Sequence, residues 1–497
     1  IVNPLLGDRL AQPVFNGFIW RYLFSAEIFD RLHLRYEGAY LEDELFLMEY
    51  FCNARRLAEM AHEDTGFGKV EDKIIKNIFG SRGVYEYVKD MKTVGELERD
   101  EEKKVRTIAV PVGVIAGLVP STNPTSTALY KAEIAIKAGN AIVFSPHPTA
   151  LRCISETVKV IRQAISEAGG NENLVSCITI PTMEATDNLM RHRDVAMILA
   201  TGGSAMVRAA YSSGTPAIGV GPGNGPAYLE KTCDLPLAVK RIMDSKTFDN
   251  GTICASEQSI ICDEDMVPAV RAEMEKQGAY FLNESEREKL GRYILRANGT
   301  MNPEIVGRSV ETIARLAGLT DVPATARVLV AAEDGVGRGH PYSNEKLAPI
   351  LAFYTGTDYK DVCEKVCTIL RYEGAGHTFS MHTKNDEMVD YFAKRVPASR
   401  IMVNTPSALG GIGGTTGLMP ALTLGCGAVG GSATSENVGP MQLLNTRKVA
   451  YGLKELEDIR ASVPDCSDGI CRVRGGDLST ADVEDIVRAI MARLQNA

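Results

Sequence analysis

The sequence predicts an α/β protein built from two parallel-sheet domains, and three observations predict it. The chain is 497 residues long, more than one compact core accommodates. From residue 107 onward, strand-like and helix-like segments alternate at lengths that suit βαβ units. The strand-like segments are continuous apolar runs rather than alternating ones, as strands buried on both faces require.

Along the chain, LEDELFLMEYFCNARRLAEMAHEDTG (41–66) spaces apolar residues by three and four and closes at Gly66, which predicts a helix. A charged stretch, LERDEEKKVR, leads into strand material, TIAVPVGVIAGLV. TSTALYKAEIAIKAG reads as a helix started by Pro124 and stopped by Gly139. Then follow strand NAIVFS, a long helix to Gly169, strands LVSCITI and RDVAMILATGG, a helix from Ser204, and the short strand PAIGV. The rhythm breaks near Leu229–Leu237 and resumes with QSIIC, ARVLVAA, a helix from Asp358 to Glu373 and strand RIMVN. SALGGIGGTTG follows that strand without a clear helix and reads as a loop that needs positive φ. The tail differs: residues 463–478 are linker-like, and 479–497 form a short amphipathic helix with Val483, Ile486, Val487, Ile490 and Leu494 on one stripe. Pattern alone leaves two readings for it, folding back on its own body or docking on a partner's groove.

Charge and composition exclude several classes. With 54 Lys+Arg against 63 Asp+Glu, the net charge of −9 gives no general reason to bind nucleic acid. No run of about 18 apolar residues predicts a membrane span, and no cationic, apolar leader is visible at the N-terminus. Eleven cysteines, an odd number scattered along the chain, suit a reducing, cytoplasmic setting. Cys363 and Cys367 in DVCEKVC lack a nearby His or second pair and read as helix packing, so no metal is expected.

One cysteine has a different setting. Cys254 in FDNGTICASEQS follows Asp249-Asn250-Gly251, which is turn chemistry. An arbitrary cysteine is more often a buried packing residue, but a thiolate in a polar loop is a nucleophile toward carbonyl carbon. Such an adduct carries an oxyanion that needs donors. Asn123 in VPSTNPTST, in the turn after a strand, is a candidate; equally it is an ordinary loop residue. ATGGSAMV (200–207) offers a strand, two glycines and a helix start that can hold phosphate, though many βα turns do. His377 in EGAGHT and Glu345 in NEKLAPIL are polar residues among small or apolar ones, and their spacing promotes neither.

Taken together, EDTGFGKVEDKIIKN, VPSTNPTST, SPHP, ATGGSAMV, GVGPGNGPAY, FDNGTICASEQS, EKLAPIL, EGAGHT and TSENVGPMQLLNTRKVAYG resemble the CoA-acylating branch of the aldehyde dehydrogenase superfamily, over residues 60–455. The resemblance implies that fold: two Rossmann-like domains and a small β oligomerisation hairpin. It places a cofactor domain at 1–100 and 113–232, a catalytic domain at 233–435, and the hairpin at 101–112 and 436–452. It implies Cys254 as nucleophile and Asn123 as oxyanion donor, with Thr122 there in the alternative register. Pro120, Ser121, Ser145, His147, Pro148, Gly202, Gly203, Ser204, Glu345 and Leu347 would line the NAD site, Glu345 on the nicotinamide ribose. His377 matches a histidine of the acylating branch without an assigned role.

Two departures sharpen this. Hydrolytic members carry a glutamate that activates water where this chain reads IGVGPGNGP (218–226), with no carboxylate. They grip the adenosine ribose with K-P-x-E where this chain reads SPHP, which leaves NAD and NADP both open. The implied reaction is oxidation of a short-chain aldehyde to acyl-CoA, with CoA as co-substrate. The alternative is a non-acylating member such as a semialdehyde or acyl-phosphate reductase. Bifunctional relatives add an iron-dependent alcohol dehydrogenase half, for which no His-rich motif appears. The tail is similar to helices that bring such enzymes to shell or cargo partners in bacterial microcompartments, which favours the docking reading, a microcompartment lumen and a homo-oligomeric enzyme, dimer or tetramer.

Overall fold

The structure is a computed structural model. It describes residues 41–296, 299–462, 483–485, 487, 488, 490 and 491. The expected linker, most of the tail helix and the first 40 residues lie outside the described residues. The chain divides into two compact units, residues 1–95 with 109–445 and residues 96–108 with 446–497.

In the larger unit the chain opens with α1 (Leu41–Thr65), stopped by left-handed Gly66, and α2 (Val70–Ile78), which continues into a π-turn at Phe79–Gly83. After β1 (Gly95–Asp100) and β2 (Val105–Pro111), the first parallel sheet is built from β3 (Val114–Val119), β4 (Ala141–Pro146), β5 (Val175–Cys177), β6 (Val195–Thr201) and β7 (Ala217–Val220), in the order β5-β4-β3-β6-β7. Helices α3 (Pro124–Lys137), α4 (Leu151–Glu167) and α5 (Ser204–Tyr211) connect its strands. Pro124 starts α3 at its first turn, and Gly139 at φ 76° ends it. Ile115, Ile142 and Phe144 from the strands pack with Ile134 and Ile154 from α3 and α4. Because the chain runs β3-β4-β5 one way and β6-β7 the other, the switch point lies between β3 and β6.

The second sheet has seven parallel strands in the order β10-β11-β12-β9-β8-β13-β14. They are β8 (Gly225–Leu229), β9 (Glu257–Asp263), β10 (Ala279–Phe281), β11 (Val328–Ala332), β12 (Ile350–Gly356), β13 (Gly376–His382) and β14 (Ala398–Val403). Helix α6 (Leu235–Thr247) precedes the Cys254 turn, and α7 (Tyr359–Tyr372) starts on Asp358, which caps it with its carboxylate. Cys363 and Cys367 are buried in the core beneath α7. Two expectations need correction. Residues 225–229 pair with β9 and β13, so the chain passes between sheets at 221–224 rather than at 232. SALGG forms a short helix, α8 (Ser407–Gly411), and positive φ is confined to Gly413 in that stretch.

The smaller unit holds a three-stranded sheet, β1-β2-β15, with β15 at Leu444–Ala450. Its first strand starts at Gly95, upstream of the expected 101–112. Glu96 bridges Arg99 at 2.8 Å and Arg106 at 2.6 Å. Among the described residues no helix is long and apolar enough to cross a membrane.

Candidate active site

The site grows from one strained turn. Asp249, Asn250 and Gly251 are all left-handed, with φ of 45°, 52° and 78°. Asp and Asn are the non-glycine residues that tolerate this region best. The Asp249 carboxylate, fully buried, accepts from Lys69 N at 2.6 Å, Lys73 Nζ at 3.1 Å, Thr252 Oγ1 at 2.8 Å and also Lys76 Nζ. Asn250 Nδ2 donates to Gly307 O at 2.9 Å. The turn is thus pinned on both sides, and it delivers half-buried Cys254 just ahead of the wholly buried β9. Burial pushes the Cys254 thiol up to about 12, the Glu345 carboxylate adds to this, and the Arg400 guanidinium pulls it back.

The loop 221–224 lies against this turn. A Cβ on Gly223 would sit 1.9 Å from Cys254 O and 3.2 Å from His377 Cε1, so only glycine fits. Gly223 N donates to Glu345 Oε1 at 2.9 Å, and Asn224 Nδ2 donates to Ser343 O at 2.6 Å. Glu345, expected from the resemblance on a ribose, is therefore tied to the loop that lacks a carboxylate of its own. Its carboxyl is pushed up to about 8 by burial and then by Glu373. Leu347, two residues on, is left-handed at φ 45° and takes Gly307 N on its carbonyl at 2.8 Å.

His377 is fully buried on β13. Its Nδ1 lies 2.9 Å from Thr378 Oγ1, and its Nε2 has no hydrogen-bond partner among the described residues. Burial, then the Arg400 charge, hold it well below the ordinary histidine range, so it is neutral. Arg400 on β14, 4% exposed, donates to the carbonyls of His377 at 3.0 Å, Gly425 at 2.7 Å and Ser435 at 3.2 Å, and to Asn437 Oδ1 at 3.4 Å. These acceptors are neutral, so its charge stays available to the thiol.

The first sheet contributes its carboxyl ends. Pro120 and Ser121, half-buried, follow β3. Asn123 occupies the N-cap position of α3 but makes no side-chain cap; its Nδ2 lies 3.3 Å from Thr252 O and its Oδ1 accepts from Lys76 Nζ at 2.6 Å. At the switch point, buried Lys131 donates to Leu118 O at 2.7 Å and Leu199 O at 2.8 Å, bracing β3 against β6. Gly202, Gly203 and Ser204 lead from β6 into α5, whose N-terminus has no side-chain cap. Free N–H groups there, at a switch point, fit the diphosphate of a dinucleotide. Ser145 is buried and bonded to Thr186 Oγ1 at 2.8 Å, whereas His147 and Pro148 are exposed.

Around Cys254 the structure assembles Asn123, Gly223, Glu345 and His377, while Pro120, Ser121, Ser145, His147, Pro148, Gly202, Gly203 and Ser204 line the carboxyl edge of the first sheet. The site joins the carboxyl ends of one sheet to the amino ends of the other. Sequence reasoning missed Lys76, Asp249, Gly223 and Arg400. The spacing VEDKIIKN offers a helix with exposed lysines, and Asp249 looks like any turn residue; Gly223 alone left a signal, in the glycine density of GVGPGNGP.

The sequence profile of the aldehyde dehydrogenase family matches residues 48–289. Among solved structures, the chain is similar to a probable aldehyde dehydrogenase from Listeria monocytogenes EGD-e, at 56% identity over 92% of this chain and 96% of that one, with a TM-score of 0.85. It is similar to an acetylating aldehyde dehydrogenase from Geobacillus thermoglucosidasius at 45% identity, covering 92% and 99% of the two chains, with a TM-score of 0.79. A propionaldehyde dehydrogenase from the fucose utilisation bacterial microcompartment of Clostridium phytofermentans is more distant, at 27% identity, 81% and 90% coverage and a TM-score of 0.72. The bifunctional aldehyde-alcohol dehydrogenase of Escherichia coli K12 is 45% identical over 399 residues, 79% of this chain and 45% of that protein. The chain thus spans less than half the length of that relative.

Proposed function

The chain belongs to the aldehyde dehydrogenase family, and from that premise we propose that it oxidises a short-chain aldehyde to an acyl-CoA through a thioester on Cys254. The observation that carries the acylating reading is the loop 218–226, IGVGPGNGP, which holds no carboxylate. Hydrolytic members need a carboxylate in this loop to activate water; at Gly223, the position packed against Cys254 O, no side chain fits. The likeness to an acetylating enzyme points the same way.

The chemistry follows from the residues. The Cys254 thiol loses its proton as its sulfur bonds to the aldehyde carbon; the orphan Nε2 of neutral His377 is the acceptor the site offers. The oxygen of the resulting thiohemiacetal becomes an oxyanion, which Asn123 Nδ2 and the Cys254 N–H stabilise. NAD, when bound, would supply the hydride acceptor; Gly202, Gly203 and Ser204 would hold its diphosphate, Pro120, Ser121, Ser145, His147, Pro148 and Leu347 would flank it, and Glu345 would take its ribose. With the carbonyl restored, the thioester is attacked by the CoA thiol, whose proton passes to the Cys254 sulfur as that departs as thiolate. Arg400 lowers the cost of that departing charge.

Supplying acetaldehyde and NAD⁺ with and without CoA tests this. The expected result is acyl-CoA with CoA and at most one equivalent of NADH without it. Steady release of free acid without CoA would overturn the acylating assignment.

The smaller unit serves homo-oligomer assembly. The tail helix docks the enzyme to shell or cargo proteins of a bacterial microcompartment, a reading supported by the likeness to a microcompartment enzyme and by the exposure of Val483, Val487 and Ile490.

A further inference from the structure

The oxyanion donor has a support that the reaction scheme does not mention. Lys76, on α2, is 2% exposed. Its ammonium donates to Asn123 Oδ1 at 2.6 Å, Thr252 Oγ1 at 2.9 Å and the Asp249 carboxylate. Asn123 spends no side-chain atom on capping α3, although it occupies the cap position. An ammonium has donors only, so it accepts one orientation of the amide: oxygen toward Lys76, nitrogen toward the nucleophile turn. A cation on the amide oxygen also draws electron density from the nitrogen and strengthens its N–H as a donor.

The support is rigid. Asn77 Oδ1 accepts from Thr125 Oγ1 at 2.7 Å, and a Cβ on Gly80 would stand 2.8 Å from Ser126 O, so α2 and its π-turn are locked onto the first turn of α3. Lys73 shares Asp249 and reaches Thr122 O at 3.4 Å. Asp72 joins the cluster by accepting from Asp249 N at 2.7 Å. Burial lowers the Lys76 pKa to about 8, and Asp249 opposes that shift.

We propose that Lys76 is a positioning residue for catalysis: its ammonium, anchored by Asp249, fixes the Asn123 amide with Nδ2 toward the Cys254 turn and polarises it for the oxyanion. This rests on the reading of Asn123 as oxyanion donor.

The experiment is a double-mutant cycle on the full chain with acetaldehyde, NAD⁺ and CoA, with rates normalised to the titrated Cys254 thiol. Lys76→Met is expected to lower kcat by about 100-fold, the cost of losing one oxyanion donor, while KM for acetaldehyde moves less than about threefold. Lys76→Gln, which can still donate to Asn123 Oδ1, is expected to recover about tenfold of that loss. In an Asn123→Ala background, Lys76→Met is expected to cost less than about threefold, because the residue it acts through is gone. An undiminished loss in that background would overturn the proposal, as would Lys76→Met or Lys76→Gln retaining parental kcat. If Lys76→Met does not fold, Lys76→Gln is read in both backgrounds against the same limits. An Asn123→Ala enzyme with parental kcat would instead refute the oxyanion reading itself.

Discussion

At the scale of single residues, Cys254, the proposed nucleophile, is unprimed. With its thiol at about 12, the thiolate fraction rises tenfold with each pH unit until that value is reached. Alkylation by iodoacetamide is therefore expected to accelerate about tenfold per unit from pH 6 to 9, without a plateau; a plateau by pH 7 would mean that the resting enzyme already holds a thiolate. Cys254→Ala is expected to abolish acyl-CoA formation and leave the melting transition in place. Gly223→Ala is the sharper substitution. The added methyl would overlap Cys254 O, and displacing the nucleophile by about 1 Å costs on the order of 100-fold in kcat; steady-state kinetics check it. The Asp-Asn-Gly turn set Cys254 apart in the sequence, but the run alone also fits a buried packing cysteine, and its role as nucleophile rests on the family resemblance. Gly223 was legible only as part of a glycine-rich loop, since its partner in contact is thirty-one residues away.

At the scale of elements, the turn Phe248–Gly251 matters most. Two consecutive left-handed non-glycine residues cost about 1–3 kcal/mol each, and the Asp249 ion cluster offsets that strain. Asp249→Ala would leave Lys73 and Lys76 buried without a counter-charge. The expected loss is about 3–5 kcal/mol in a urea melt, with Asp249→Asn intermediate because it keeps the acceptor oxygen. The lysines were illegible for a physical reason: charged side chains on an amphipathic helix are usually solvated, and only the fold reveals that Lys73, Lys76 and Asp249 meet across more than 170 residues. The strands fared better. β6, β7, β9, β11 and β14 follow from their apolar runs, whereas GPAYL does not read as a strand by itself and forms β8 between β9 and β13.

At the scale of the whole molecule, the alternation of strands and helices made two sheets legible, and order along the chain placed Cys254 between them. What order could not give is polarity. The second sheet presents the amino ends of β8, β9 and β13 to the reaction, against the usual preference of parallel sheets for their carboxyl ends. The proposed docking role of the tail is tested by its removal. Truncation after residue 462 is expected to leave kcat and KM unchanged while abolishing co-purification with microcompartment shell; loss of folding would show that the tail packs on its own body.

The contact between Gly223 and Cys254 O restricts where this enzyme could be given a water-activating carboxylate. Grafting a glutamate at position 223 cannot convert it, because the backbone there leaves no volume for any side chain. Laboratory evolution toward free acid would have to begin elsewhere in the loop, at Gly221, where an added side chain meets open space.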